Sequence, residues 1–146
     1  MSESKATKKW AAILEENGCM IIPLVAGMRQ RAGLPDRFVS HRRLPSAGAW
    51  IEIKNERRKA TKLQEFTLID LLAHGQTAFV LRLDPQGRAM STESPERDVL
   101  TMRKPGQLES ELDFLERSCV EAREWYELRQ TKLKAKKKNK ESRDET

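Results

Sequence analysis

Apolar residues along this chain fall alternately at helical and at strand spacing. Between Lys5 and Asn17, Trp10, Ile13 and Leu14 form a partial helical stripe, and Gly18 supplies a stop. Cys19 to Val25 is a short apolar run with Pro23 inside it, which predicts a strand at a sheet edge or at a bulge. Residues 26–32, with Gly27 and two arginines, predict a flexible basic loop. Phe38 and Val39 predict a short strand over 36–40. The Pro, Gly and Ser of His41 to Gly48 predict a turn, and Ala49 to Lys54 predicts a second strand rich in residues that suit a pleated surface. These two strands are expected to pair antiparallel. Lys62 to His74 predicts a helix with Leu63, Phe66, Ile69, Leu72 and Ala73 on its buried face, stopped by Gly75. Thr77 to Leu83 predicts another buried strand.

Beyond Asp84 the pattern weakens. Pro85-Gln86-Gly87 is a turn, and 89–106 reads as an irregular connector in which only Val99–Met102 favours a strand. Glu109 to Leu133 predicts one long helix. Its stripe is Leu112, Leu115, Cys119, Ala122, Trp125 or Tyr126, and Leu128 or Arg129. From Lys132 the tail is too charged to bury and is expected to be disordered or a helix end dissolving into solvent. The expected organisation is a core over 1–88, the connector over 89–106, a helix over 107–131 and a tail over 132–146.

Composition narrows the classes. A length of 146 residues leaves room for one domain, and no apolar run approaches the roughly 18 residues of a membrane span. The first residues lack the apolar stretch of a signal peptide. Cys19 and Cys119 lie in distant segments, and His41 and His74 have no metal-ligand spacing, so a zinc site or disulfide has no support and a cytoplasmic setting is expected. Charge is uneven. Arg29 to Lys62 holds ten Lys/Arg against three Asp/Glu (+7), Glu93 to Glu127 five against ten (−5), and Arg129 to the end eight against three (+5).

The basic stretch contains the candidate chemistry. Side chains alternate along a strand, so Glu52 and Lys54 point one way while Ile51 and Ile53 point the other. Placing Glu and Lys on the inner part of a sheet is unfavourable unless they serve each other or a ligand. Pro35 drives Leu34 into an extended form, and Gly33 before it permits a sharp turn. Asp36 then stands at the open end of one strand, with Glu52 or Lys54 near the matching end of the other. Two carboxylates and an amine are the parts that hold a divalent cation against a phosphodiester. Mg²⁺ takes hard oxygen ligands and keeps several waters, so one or two carboxylates suffice, and the Ile53 carbonyl is a further candidate. Lys54 would orient water, deprotonate it, or neutralise developing charge. Taken singly, Glu-x-Lys is commonly an exposed strand face and Pro-Asp a turn or cap; the two 16 residues apart in this setting are far more specific.

Gly33-Leu34-Pro35-Asp36, Ile51-Glu52-Ile53-Lys54, Thr61 and Gln64 opening a helix, and Gly75 before a strand resemble the PD-(D/E)XK nuclease superfamily. Within it they look most like the virus-type replication-repair nuclease (VRR-NUC) branch in its short phage forms, over about residues 3–85. The resemblance implies an α/β, restriction-endonuclease-like αβββαβ core with a mixed sheet flanked by helices, here followed by the long C-terminal helix. It implies DNA cleavage dependent on Mg²⁺, with Mn²⁺ also accepted. Asp36 and Glu52 would be ligands, Lys54 catalytic and Gln64 an active-site helper, although on the residues alone Gln64 reads equally as a solvated helix-start residue. A further site acid is implied on the first helix. Glu3 is the candidate, with Glu15 and Glu16 competing. Arg29, Arg31, Arg37, Arg57, Arg58 and Lys59, with Arg42 and Arg43 in the same stretch, would contact phosphates. Family analogy, the acidic helix and Trp125 lead to an expected homodimer. The alternatives are a catalytically silent DNA-binding protein with the same fold and an interaction protein that uses the C-terminal helix.

Overall fold

Ser4 opens the first helix by accepting a hydrogen bond from the Thr7 N–H at 3.1 Å, one of the donors that a helix start leaves unpaired. The computed structural model describes residues 4–24, 33–54 and 58–144; the loop expected over 26–32 lies outside them. The order is α1 (Lys5–Glu16), β1 (Met20–Pro23), β2 (Arg37–Ser40), β3 (Gly48–Lys54), α2 (Lys62–Ala73), β4 (Ala78–Leu83), β5 (Ala89–Glu93), β6 (Val99–Met102) and α3 (Glu111–Asp144). The expected αβββαβ series is therefore present, in a six-stranded mixed sheet ordered β1-β2-β3-β4-β5-β6. β3 and β4 run parallel, joined through α2, and every other neighbouring pair is antiparallel. β1, with Pro23, lies at an edge, as a strand proline requires. Among the described residues no helix is long and apolar enough to cross a membrane.

Period-2 alternation sends the central strands' side chains into two cores. Ala49, Ile51, Phe79 and Leu81 meet Trp10 and Leu14 of α1 and Leu112, Phe114, Leu115, Cys119 and Ala122 of α3. Ala78 and Val80 meet Leu68 and Leu72 of α2, with Trp50, Trp125 and Tyr126 packed against them. Each fully buried large apolar side chain contributes about 1.5–3 kcal/mol, so these two clusters dominate over surface ion pairs.

Several expectations need correction. The stretch 89–106 is not an irregular connector, because β5 and β6 extend the sheet. The register shifts between Arg82 and Leu83 and again between Thr92 and Glu93, which breaks the alternation a reader would look for. The buried positions there are polar as well. Thr92 bonds Ser118 at 3.2 Å and Thr101 bonds Glu121 at 2.9 Å, both on α3. On α2 the buried face carries Thr67, Leu68 and Leu72, whereas Leu63, Phe66 and Ala73 are exposed. Apolar residues run nearly all round α2, so spacing alone does not choose a face. The chain past Lys132 continues α3 as helix to Asp144.

α3 is held by polar contacts along its length. Arg103 donates to the Ala89 and Glu109 carbonyls at 2.7 and 2.8 Å and to Glu111 at 2.7 Å, while stacking on Phe114. Arg123 donates to the Leu72 and Gln76 carbonyls, both at 2.8 Å, satisfying backbone acceptors at the end of α2. Trp125 donates to Asp98 at 2.8 Å, and Arg129 pairs with Glu96. The half-buried Arg129 rather than the exposed Leu128 therefore continues the stripe.

The β4–β5 turn presses on α1. Gly87 has φ +83°, and a Cβ there would lie 2.8 Å from the Ala6 carbonyl oxygen and 3.0 Å from the Trp10 nitrogen. Gly87→Ala should therefore destabilise the fold by roughly 1–3 kcal/mol, read as a lowered midpoint in thermal or urea melts; an unchanged midpoint would contradict this packing.

Candidate active site

Four segments distant in sequence meet at one end of the sheet: the start of α1, the residue before β2, and the ends of β3 and β4. They enclose an open cavity lined by Ser4, Ala6, Thr7, Asp36, Arg37, Glu52, Ile53, Lys54, Arg58 and Leu83. The antiparallel register places Arg37 opposite Ile51, so Asp36, one residue earlier, falls beside Glu52. The Asp36 carboxylate accepts the Ile53 backbone N–H at 2.9 Å, and its carbonyl accepts the Leu24 N–H at 2.7 Å. Asp36 is thus fixed from both neighbouring strands. Gly33, at φ +83°, lies close on α2, where a Cβ would meet Leu63 Cγ at 2.6 Å.

Glu52 is the most constrained group. It is only 2% exposed. Its Oε1 accepts from Gln64 Nε2 at 2.9 Å and lies 3.2 Å from Lys54 Nζ. Its Oε2 is buried with no hydrogen-bond partner among the described residues. Burial, reinforced by the Asp36 carboxylate, pushes the Glu52 carboxyl up to about 7, while Lys54 pulls the other way. Burial also holds the Arg37 guanidinium below its ordinary range, opposed by the attraction of Glu52.

These donors fit a hard divalent cation. A buried, unpartnered carboxylate oxygen sits in a low-dielectric wall, with a second carboxylate on the same cavity. Among the described residues no group of three or more His, Cys, Asp or Glu converges; those residues offer two carboxylates, with the Ile53 carbonyl as the further candidate.

The structure brings together Asp36, Glu52, Ile53, Lys54 and Gln64, with Arg37 and Arg58 on the cavity wall. Lys59 is exposed just beyond Arg58. Glu3, Arg29, Arg31 and Arg57 lie outside the described residues. Glu15 and Glu16 are exposed in the last turn of α1, the end away from the cavity. Arg42 and Arg43 are corrected. They lie on the β2–β3 turn at the opposite end of the sheet, and Arg43 is occupied by Asp113 and Glu116 of α3. Ser4, Ala6 and Thr7 are wall residues that sequence reasoning missed; the Ser-x-x-Thr capping pattern ahead of Trp10 was their signal.

The chain is similar in structure to Hjc, a Holliday junction resolvase from the archaeal hyperthermophile Archaeoglobus fulgidus. The identity is 15% and the TM-score 0.48, over 78% of this chain and 95% of that one. No protein-family model matches the sequence, and neither does any curated protein.

The raised Glu52 pKa has a signed consequence for stability. The folded state binds this proton more tightly than the unfolded chain does. Stability is therefore fullest below the ordinary value of 4.5 and is lost as pH rises towards about 7. In a chelator, Glu52→Gln should exceed wild type in stability above pH 7, by up to about 3 kcal/mol, and the gain should vanish near pH 4. Denaturant melts across this range check it; a gain independent of pH would remove the titration from the account.

Proposed function

We propose that this chain is a metal-dependent deoxyribonuclease of the PD-(D/E)XK type, with a VRR-NUC-like site. The observation that carries the reading is the Glu52 carboxylate. One oxygen is held by Gln64 and Lys54, the other is buried with no partner among the described residues, and the side chain lines a cavity with Asp36 and two arginines.

In this reading Asp36 and Glu52 hold a divalent cation, Mg²⁺ or Mn²⁺, with the Ile53 carbonyl as a third donor. When bound, that ion lowers the pKa of water and offsets charge on the phosphate. The Ile53 N–H keeps Asp36 turned towards β3. Lys54, paired with Glu52 at 3.2 Å, places a positive charge at the cavity where the phosphate gains charge, so orientation and neutralisation are the roles assigned to it. Arg37, Arg58 and Lys59 position the DNA backbone without reading bases. The reaction is hydrolysis. Water oxygen bonds to phosphorus, the bond to one sugar oxygen breaks, and that oxygen leaves with a proton.

The basic end of α3 adds a second DNA contact. It leaves the domain beside the β5–β6 turn, at the end of the sheet away from the cavity, and residues 131–143 are exposed. Lys132, Lys134, Lys136, Lys137, Lys138, Lys140 and Arg143 give it strong positive charge. Pairing of two copies belongs to the same proposal, now without Trp125, which is committed to Asp98 inside the domain. It rests on the exposed outer face of α3 around Val120 and Glu124, and a monomeric mass at micromolar concentration would remove it.

The test is a panel of labelled duplex, branched and single-stranded DNA with Mg²⁺ or Mn²⁺. Asp36→Asn, Glu52→Gln and Lys54→Ala should each slow cutting roughly 100-fold or more. In chelator, Glu52→Gln should bind DNA at least as tightly as wild type, having lost a negative charge beside phosphate. Normal cutting by Glu52→Gln would end the proposal. A chain ending at Gln130 should lose affinity and part of the salt dependence of binding while cutting normally at saturating DNA.

A further inference from the structure

We infer that Thr61 is a positioning residue for the active site, acting through Gln64 to decide which oxygen of Glu52 is engaged and which is left over. The inference rests on the nuclease reading for its purpose, but its geometry stands without it. Thr61 caps α2 by accepting the Gln64 backbone N–H at its hydroxyl, 3.2 Å away. Gln64 reciprocates, its side-chain oxygen accepting the Thr61 backbone N–H at 2.9 Å. A capping box of this kind ordinarily serves the helix alone. Here the amide's other end is used as well, and Gln64 Nε2 donates to Glu52 Oε1 at 2.9 Å.

The two ends fix each other. A carboxamide turned over would set its NH₂ against the Thr61 N–H and its oxygen against a carboxylate, two repulsions in place of two bonds. With the box closed, Gln64 must present a donor to Glu52. Oε1 then carries both Gln64 and Lys54, and Oε2 is left without a partner among the described residues. The position of Gln64 is set by packing. Gln64, Leu68 and Leu72 follow one another at four-residue intervals on one stripe of α2, and Leu68 and Leu72 are buried against Ala78 and Val80. The same turn also receives Gly33, three residues before Asp36, against Leu63 and Thr67. The start of α2 therefore touches Glu52 through Gln64 and lies against the chain three residues before Asp36.

If the cap served stability alone, any equal loss of helix stability would have the same effect. Three variants separate the cases: Thr61→Ala, Thr61→Ser and, as a control at the exposed far end of α2, Ala73→Gly. Mn²⁺ affinity by calorimetry and the Gln64 side-chain NH₂ resonances in metal-free protein are the readouts, beside thermal melts and the division of cleavage between kcat and KM. Thr61→Ala should weaken Mn²⁺ binding roughly 10-fold and lower kcat with little change in KM. It should also shift the Gln64 NH₂ resonances towards those of a solvated amide. Thr61→Ser should restore all three. Ala73→Gly should lower the melting midpoint and leave Mn²⁺ affinity and the resonances unchanged. Wild-type Mn²⁺ affinity and resonances in Thr61→Ala would overturn the inference, as would a loss reproduced by Ala73→Gly. If wild type bound no Mn²⁺ the nuclease reading would fail, and the resonances alone would still decide whether Thr61 orients Gln64.

Discussion

A carboxylate withdrawn from water has to be satisfied oxygen by oxygen, and among the described residues Glu52 is satisfied on one side only. That imbalance organises the rest of the site. An unpaired buried carboxylate oxygen is among the least favourable groups a fold can contain, so whatever keeps it there must be strongly determined. Here it is determined three times over: by the alternation of β3, by the Lys54 ammonium on the same face, and by the Gln64 amide arriving from α2. Asp36 aggravates the imbalance, since a second negative charge on the same cavity raises the proton affinity of the first. Burial and Asp36 together raise the Glu52 carboxyl against the pull of Lys54.

The parallel pairing of β3 and β4 makes the arrangement economical. A parallel neighbour requires a crossover, and α2 is that crossover. Its first turn must therefore begin near the end of β3, where Glu52 and Lys54 stand. The antiparallel neighbour on the other side, β2, starts where β3 ends, and brings Asp36 to the same place. One strand flanked by a parallel and an antiparallel partner thus receives functional groups from both sides at a single end.

What was legible in the sequence depended on how locally each feature is determined. Glu52 and Lys54 against Ile51 and Ile53 could be read because alternation is a property of one strand. The meeting of Asp36 with them followed because only a short turn separates β2 from β3. The cap at Thr61 and the stop at Gly75 are local signals as well. The buried face of α2 was misread, because its apolar residues surround the helix and only contact with β4 selects among them. β5 was missed because its buried positions include threonine and its register slips, so hydropathy carries no trace of it. Arg43 was misplaced for a related reason. Charge density along the chain does not say at which end of a strand a residue will stand, and its true partners lie 70 and 73 positions away.

The walls of the cavity are drawn from residues near 4, 36, 52 and 83; those near 36 and 52 meet in the β2–β3 hairpin, and those near 4 and 83 join them only when α1 and β4 pack. Loop closure over such separations comes late in folding, after local helices and turns have formed. A half-folded chain thus has the hairpin that carries Asp36, Glu52 and Lys54 but not the cavity around it. Assembly of the central strands is therefore what encloses the cavity, which exists only in the folded chain.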